Sequence, residues 1–412
     1  MQDKKKRDLA ALASIPLIMT LANSMLIPVL PLMQRKLGIT SLQSSLIITV
    51  YAAVSIVCIP IAGYLSDRFG RKLIILVGLS IAAAGGVLSG CAAWLMDGKT
   101  AYWWIIAGRF IQGIGAAGAF PIVLPLVGDM FKEEEQVSSG LGMIESSNTL
   151  GKVVSPIAGS ALALIVWFLP LVVIPFICLV SIIAVAVFVN KPKGQQQSKV
   201  SVREFVKGVK AILKENGRWL YAIFAIGCLG MYIMFGFLYD LSSVLEKKHH
   251  IDGVIKGLVL AIPLGAICLA SFIVGKKIGS NKPAMKWLTV IGTAMAAGSM
   301  AAIAMLAPKG LFMLMLLISI AGAGIGLVLP SLDALITEGI DKKQRGTITS
   351  LYSSMRFIGV AAGPLIASVM LDRERLMFWI FAGVSIVSCA IALFAIRPKQ
   401  MGGEAAAAKG GK

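Results

Sequence analysis

"GYLSDRFGRK", residues 63–72, is a polar interruption between two long apolar runs, 44–66 and 73–96. A run of roughly 20 apolar residues is what a helix needs to cross about 30 Å of hydrocarbon, so the chain must turn back inside this stretch. Gly70 permits a tight turn. Asp67 and Arg68 stand where helix ends are capped or paired, and Arg71 and Lys72 supply positive charge at one membrane face. Gly63 lets two helices approach closely. The decapeptide therefore predicts a hairpin of two membrane-spanning helices.

Working outward, the same length criterion finds twelve apolar runs, near 9–33, 44–66, 73–96, 102–130, 138–161, 163–189, 219–241, 255–275, 286–306, 310–337, 347–371 and 376–396. The composition agrees: 57% of the 412 residues are hydrophobic, 14% are charged and the mean hydropathy is +0.85, which is too apolar for a soluble domain of this size. The expected fold class is an all-α membrane protein of twelve transmembrane helices. The first run continues through Pro28 and Pro31 without a small-residue cleavage site, and it reads as a retained helix rather than a signal peptide.

The formal charge of +19 follows this topology. With both termini on the inner side, 27 of the 39 Lys and Arg fall in inner segments, nine in outer ones, and Arg109, Lys152 and Arg356 within spans. That asymmetry orients the chain with both termini cytoplasmic in a cell membrane and excludes a nucleic-acid reading of the basic excess. Membrane lipids are the partners it implies. The six cysteines lie in the spans without CxxC spacing and read as packing residues. His249 and His250 read as a solvated pair, so no metal site is expected.

The longest polar segment, 190–218, divides the chain. It reads as a Gln/Ser-rich tether followed by an amphipathic helix with Val202, Phe205, Val206, Val209 and Leu213 on one face. The expected organisation is a six-helix half over 1–189, this linker, a second six-helix half over 219–396 and a cytoplasmic tail over 397–412. A shift of 208 residues lays Gln136 on Gln344, Gly151 on Gly359, Ser155 on Gly363 and Pro156 on Pro364. Two six-helix halves in parallel repeat are a transporter architecture, with cargo handled near the midplane between them. No nucleophile triad, phosphate loop or metal cluster appears, so no enzyme, no cofactor and no ATP-driven step is expected.

The spacing G-x3-D-R-x-G-R-K, matched by Gly63, Asp67, Arg68, Gly70, Arg71 and Lys72, resembles the loop signature between spans 2 and 3 of the major facilitator superfamily. "RFIQGIGAAGA", 109–119, resembles its span 4 motif through Arg109, Gln112 and Gly113. "GMIESSNTLGKVVSPIAG", 142–159, resembles the span 5 motif of the drug:proton antiporter branch through Gly142, Gly151, Pro156 and Gly159, with Ser155 and Ser160 in place of two glycines. The resemblance implies a fold of two pseudo-symmetric six-helix bundles and proton-driven alternating access. It implies a cytoplasmic latch formed by the loop residues with Asp129, and a span 5 packed tightly against a neighbour in the other half.

Ionisable side chains deep in the spans cost about 2.5–3.5 kcal/mol each on insertion scales and mark functional sites. Glu145 and Lys152 are seven apart and share a helix face with Asn148. Burial favours the neutral acid and a nearby cation favours the carboxylate, a competition suited to a proton carrier. Glu145 is the first candidate for proton coupling, with Arg109, Asp333 and Asp240 beside it. Asn23, Asn148, Lys152, Tyr232, Phe235, Tyr239, Tyr352, Met355 and Arg356 are the candidate cargo contacts. The leading reading is a monomeric, proton-gradient-driven exporter of amphiphilic small molecules or drugs. Two alternatives stay open: an exporter of one anionic or polar metabolite such as a siderophore or sugar derivative, which Lys152, Arg109 and Arg356 favour, and a lipid-headgroup flippase or non-transporting membrane protein.

Overall fold

The computed structural model describes residues 2–130, 134–189, 202–278, 281–308, 310–340 and 342–397. Among them every regular element is helical: α1 (Gln2–Ser24), a 3₁₀ turn (Ile27–Val29), α2 (Leu30–Leu37), α3 (Ser41–Phe69), α4 (Arg71–Leu95), α5 (Gly98–Met130), α6 (Glu134–Ile165), α7 (Leu169–Phe188), α8 (Val202–Lys247), α9 (Gly253–Lys277), α10 (Lys282–Leu306), α11 (Leu311–Gly339), α12 (Lys342–Met370), a second 3₁₀ turn (Leu371–Arg373) and α13 (Glu374–Ala395).

The hairpin at 63–72 forms as expected. Gly70 sits at φ 101°, between α3 and α4, in a region that disfavours any residue with a Cβ. Thr40 opens α3 with a capping box, its side chain accepting from the Gln43 backbone while the Gln43 side chain accepts from Thr40, which satisfies two otherwise orphaned donors.

Two boundaries differ from the sequence reading. The first span is not one helix but α1, a turn and α2, because Pro28 and Pro31 lack the N–H groups that would carry the helix ladder through. The amphipathic segment is not a separate element: it continues without a break into the seventh span as the 46-residue α8. No proline interrupts that stretch. The tether at 190–201 and the tail beyond 397 lie outside the described residues.

The stretch Gly346–Ala395 is 50 residues long. At 1.5 Å per residue it would reach about 75 Å as one helix, more than twice the hydrocarbon thickness. It folds back at Leu371–Arg373, since both Gly363 and Phe381, on opposite sides of the turn, meet Gly236 of α8. The described residues thus hold twelve helical segments long and apolar enough to cross a membrane.

Packing repeats between the halves. α4 packs on α5 and α7, α3 on α5, and α1 on α6; correspondingly α10 packs on α11 and α13, α9 on α11, and α8 on α12. Glycines let the equivalent pairs approach: a Cβ on Gly78 would stand 2.7 Å from the Gly115 carbonyl oxygen, and one on Gly292 2.3 Å from that of Gly324. Small residues serve this purpose where hydrocarbon supplies no hydrophobic drive between helices. The seam between the halves is made by α3 against α12 and by α6 against α9, the same contact under the repeat. Trp103, Trp104, Phe110, Phe176, Phe272 and Trp287 face outward, as a lipid-facing surface requires.

Candidate functional site

Three groups of polar residues sit along the molecule. At the end carrying the 63–72 loop, Arg71 pairs with Asp129 at 2.8 Å and with Asp67 at 3.4 Å, and donates to the Pro125 carbonyl. Pro125 cannot supply a backbone N–H to the helix, and its own oxygen is taken by this arginine. The pairs tie α3, α4 and α5 together and border Gly346, Thr347 and Ser350 of α12. A Cβ on Gly63 would lie 3.3 Å from Ser350 Oγ. Arg68 instead rests on the ring of Phe69 with a bond to Tyr64. Lys72 turns away and caps α7 through the carbonyls of Ala186 (2.9 Å) and Val189 (2.6 Å), a favourable place for a cation at a helix C-terminus.

Deeper in the first half, Arg109 is fully buried. Its Nε donates to Ile47 O at 2.8 Å; one terminal nitrogen donates to Ala22 O (3.2 Å) and Gln112 Oε1 (2.7 Å), the other to Asn23 Oδ1 (2.6 Å), and the Tyr51 ring lies 4.4 Å away. Every contact is neutral. Asn23, read as a cargo contact, has its oxygen committed to this guanidinium and is itself buried.

The third group straddles the seam. Glu145, Asn148 and Lys152 share a face of α6, as the seven-residue spacing requires. Thr20 of α1 donates to Asn148 Oδ1 at 2.6 Å, and the Asn148 amide donates to Glu145 at 3.1 Å. From the other half, Arg356 of α12 lies 3.7 Å from Asp333 of α11. Glu145, Lys152, Asp333 and Arg356 are near enough for each to feel the other three, a quartet of zero formal charge. Lys152 is only 8% exposed, and among the described residues its ammonium makes no hydrogen bond or ion pair. It faces a cavity lined by Ser24 and Ile27 of the first span, Pro156 of α6, Met234, Phe235 and Leu238 of α8, and Leu260 and Leu264 of α9.

The other candidates distribute unevenly. Phe235 lines the cavity. Tyr232 is buried edge-on to Phe381, and Tyr239 donates to the Ser41 carbonyl across the seam at 2.9 Å. Tyr352 is buried, stacked on Phe224 with Arg356 over its ring, and Met355 packs on the same cluster. Asp240 is buried at 2% exposure, and its Oδ1 has no hydrogen-bond partner among the described residues.

The span 5 helix packs against the other half as the resemblance implies, α6 on α9, but its glycines serve another contact. Gly151 and Gly159 face α1 of their own half: their Cβ positions lie 3.1 Å from Leu17 O and 1.9 Å from Met25 O. Gly142 meets open space. The close approach across the halves comes from Gly257 of α9, whose Cβ would stand 2.5 Å from Pro156 O. Ser155 fills one missing-glycine position by bonding back to Gly151 O at 2.5 Å.

Two residues escaped the sequence reading. Lys256, at the edge of an apolar run, is not a loop cation but is 2% exposed within α9; it pairs with Glu246 at 2.7 Å. The signal available was its position inside the eighth run, 255–275.

Twelve long apolar segments in two repeated bundles, with a charged cluster and a cavity at their seam, are the architecture of a membrane transporter. The family model of the Major Facilitator Superfamily matches residues 12–364 and 285–412, and the chain belongs to that superfamily. It is a multi-pass membrane transporter and not an enzyme. It is 52% identical to the bacillibactin exporter of Bacillus subtilis (strain 168) over 396 residues, 96% of this chain and 97% of that protein. It is 27% identical to macrolide efflux protein A of Streptococcus pyogenes over 341 residues, 80% of this chain and 81% of that one. The crystal structure of the human organic anion transporter MFSD10 (TETRAN) superposes with a TM-score of 0.72 at 18% identity, covering 94% of this chain and 99% of that one, a likeness of fold.

Proposed function

We propose that this transporter exports an anionic or polar metabolite of the siderophore class across the cell membrane, driven by the proton gradient, with both termini cytoplasmic. The observation that carries the reading is Lys152: a buried ammonium without a hydrogen-bonded or ion-paired partner among the described residues, facing a cavity lined, apart from Ser24, by apolar side chains. A buried cation is costly unless paired, and an anionic cargo supplies the missing partner. A pump for cationic drugs gains nothing from it. The likeness to the bacillibactin exporter at 52% identity over nearly the whole chain supports the same cargo class, whereas the macrolide efflux relative is distant. This favours the second sequence reading over general amphiphile efflux.

Glu145 and Asp333 are the carboxylates whose protonation alters the charge facing Lys152, and they carry the proposed proton dependence. Arg71 with Asp67 and Asp129 forms the cytoplasmic latch in this scheme. The test is uptake into everted vesicles acidified inside, comparing bacillibactin with a cationic dye. Bacillibactin uptake that collapses with the gradient is expected. Dye uptake with no siderophore uptake would overturn the cargo reading, and uptake indifferent to the gradient would overturn the coupling.

A further inference from the structure

At the end of the molecule opposite the 63–72 loop, three charges and two backbone carbonyls meet across the seam. The break in the first span leaves Ile27 and Pro28 in a 3₁₀ turn, so their carbonyls are not locked into a continuous helix ladder. Both are taken by the other half. Ser242 of α8 donates to Ile27 O at 3.1 Å, and Lys256 of α9 donates to Pro28 O at 2.7 Å. The same ammonium pairs with Glu246 at 2.7 Å, and Glu246 also pairs with Arg35 at the end of α2. Ile27 lines the Lys152 cavity, so this network borders the cavity.

We infer that Arg35, Glu246 and Lys256 form the gate that holds this end shut, with the Pro28 carbonyl as its catch. The partition of the network fits such a role. Glu246 and Lys256 belong to one half and stay paired when the halves part. The Arg35–Glu246 pair, the Lys256–Pro28 bond and the Ser242–Ile27 bond must break, as must the neutral bond from Tyr239 to the Ser41 carbonyl. Opening therefore strands no buried charge, which keeps the closed state reversible, since a lone buried ion is the costly outcome. Arg35 is 59% exposed while Lys256 is 2% exposed, so the gate has a solvent-facing outer element and a dry inner one. Lys256 and Arg35 act as positioning residues. The gate's operation does not depend on which cargo is carried.

The test is hydrogen–deuterium exchange on the full chain in nanodiscs, comparing wild type with Arg35→Gln, Lys256→Met and Lys256→Arg. Arg35 is mostly exposed, so its substitution preserves folding and keeps the test open if Lys256→Met fails to fold. Loss of the gate shifts the population toward a state open at this end. Backbone amides of 25–40 and 244–256 are expected to exchange at least threefold faster, while those of 60–72, at the other end, slow. Lys256→Arg, which retains a donor for both Glu246 and Pro28, is expected to restore the wild-type pattern. Exchange unchanged at both ends, or faster at both ends as in general loosening, would overturn the gate.

Discussion

Asp333 and Arg356 approach to 3.7 Å within the second half, while Lys152, reaching in from the first half, pairs with neither. The second half thus pairs its own seam charges directly, whereas Lys152 of the first half has only the longer-range attraction of Glu145 and Asp333. Four charges that sum to zero hide an asymmetry, and that asymmetry is what an incoming anion would meet.

The two carboxylates of the quartet should separate on mutation. Among the described residues the Glu145 carboxylate accepts one hydrogen bond, from the Asn148 amide, so Glu145→Gln should fold and melt as wild type while gradient-driven accumulation is lost and downhill exchange persists. Asp333→Asn removes the partner of Arg356. Breaking a buried pair costs about 3–5 kcal/mol, scaled down to about 1–2 kcal/mol by the exposure of Asp333. Thermal melts alongside vesicle transport check both; equal losses of stability would contradict the assignment.

Arg109→Lys is expected to fail despite keeping the charge. A planar fork reaches Ile47, Ala22, Gln112 and Asn23 together, and a single ammonium cannot reproduce that geometry. Four buried acceptors would compete for one donor group, at about 1–3 kcal/mol for each left unsatisfied. A marked fall in melting temperature with loss of transport is the expected result. A wild-type melt would show the network to be dispensable.

Gly159→Ala and Gly142→Ala form a matched pair on one helix. The first would place a methyl 1.9 Å from the Met25 carbonyl oxygen, and the second meets nothing within 4 Å. Gly159→Ala should abolish folded protein by size-exclusion chromatography. Gly142→Ala should be neutral or gain about 0.5–1 kcal/mol from helix propensity.

Much of this was legible because membrane folding writes its lengths and charges into the chain. The hairpin at Gly63–Lys72 and the twelve apolar segments follow from apolar run length, and the proximity of Glu145 to Lys152 follows from helix pitch. What was not legible depended on which faces meet. Gly151 and Gly159 advertise close packing, but nothing in their spacing says that Leu17, Thr20 and Met25 are the partners. Tyr232 and Tyr352 look like stacking surfaces from composition and turn out to be buried against Phe381 and Phe224. Lys256 and Glu246 straddle a loop and are not singled out by any spacing, because their role appears only when the fold brings the Pro28 carbonyl to Lys256. The break in the first span at Pro28 and Pro31, which the run of apolar residues hid, likewise gains its meaning only from the half it touches.

The most direct test of the central claim is the affinity of the purified transporter for bacillibactin, measured by calorimetry for wild type and for Lys152→Gln. The variant should keep or raise the melting temperature, because an unpartnered buried charge is removed. Its affinity should fall at least about tenfold, the equivalent of about 1.4 kcal/mol, and Lys152→Arg should recover part of the loss. Equal affinity in wild type and Lys152→Gln would contradict the assignment of Lys152 as the site that receives the cargo's negative charge.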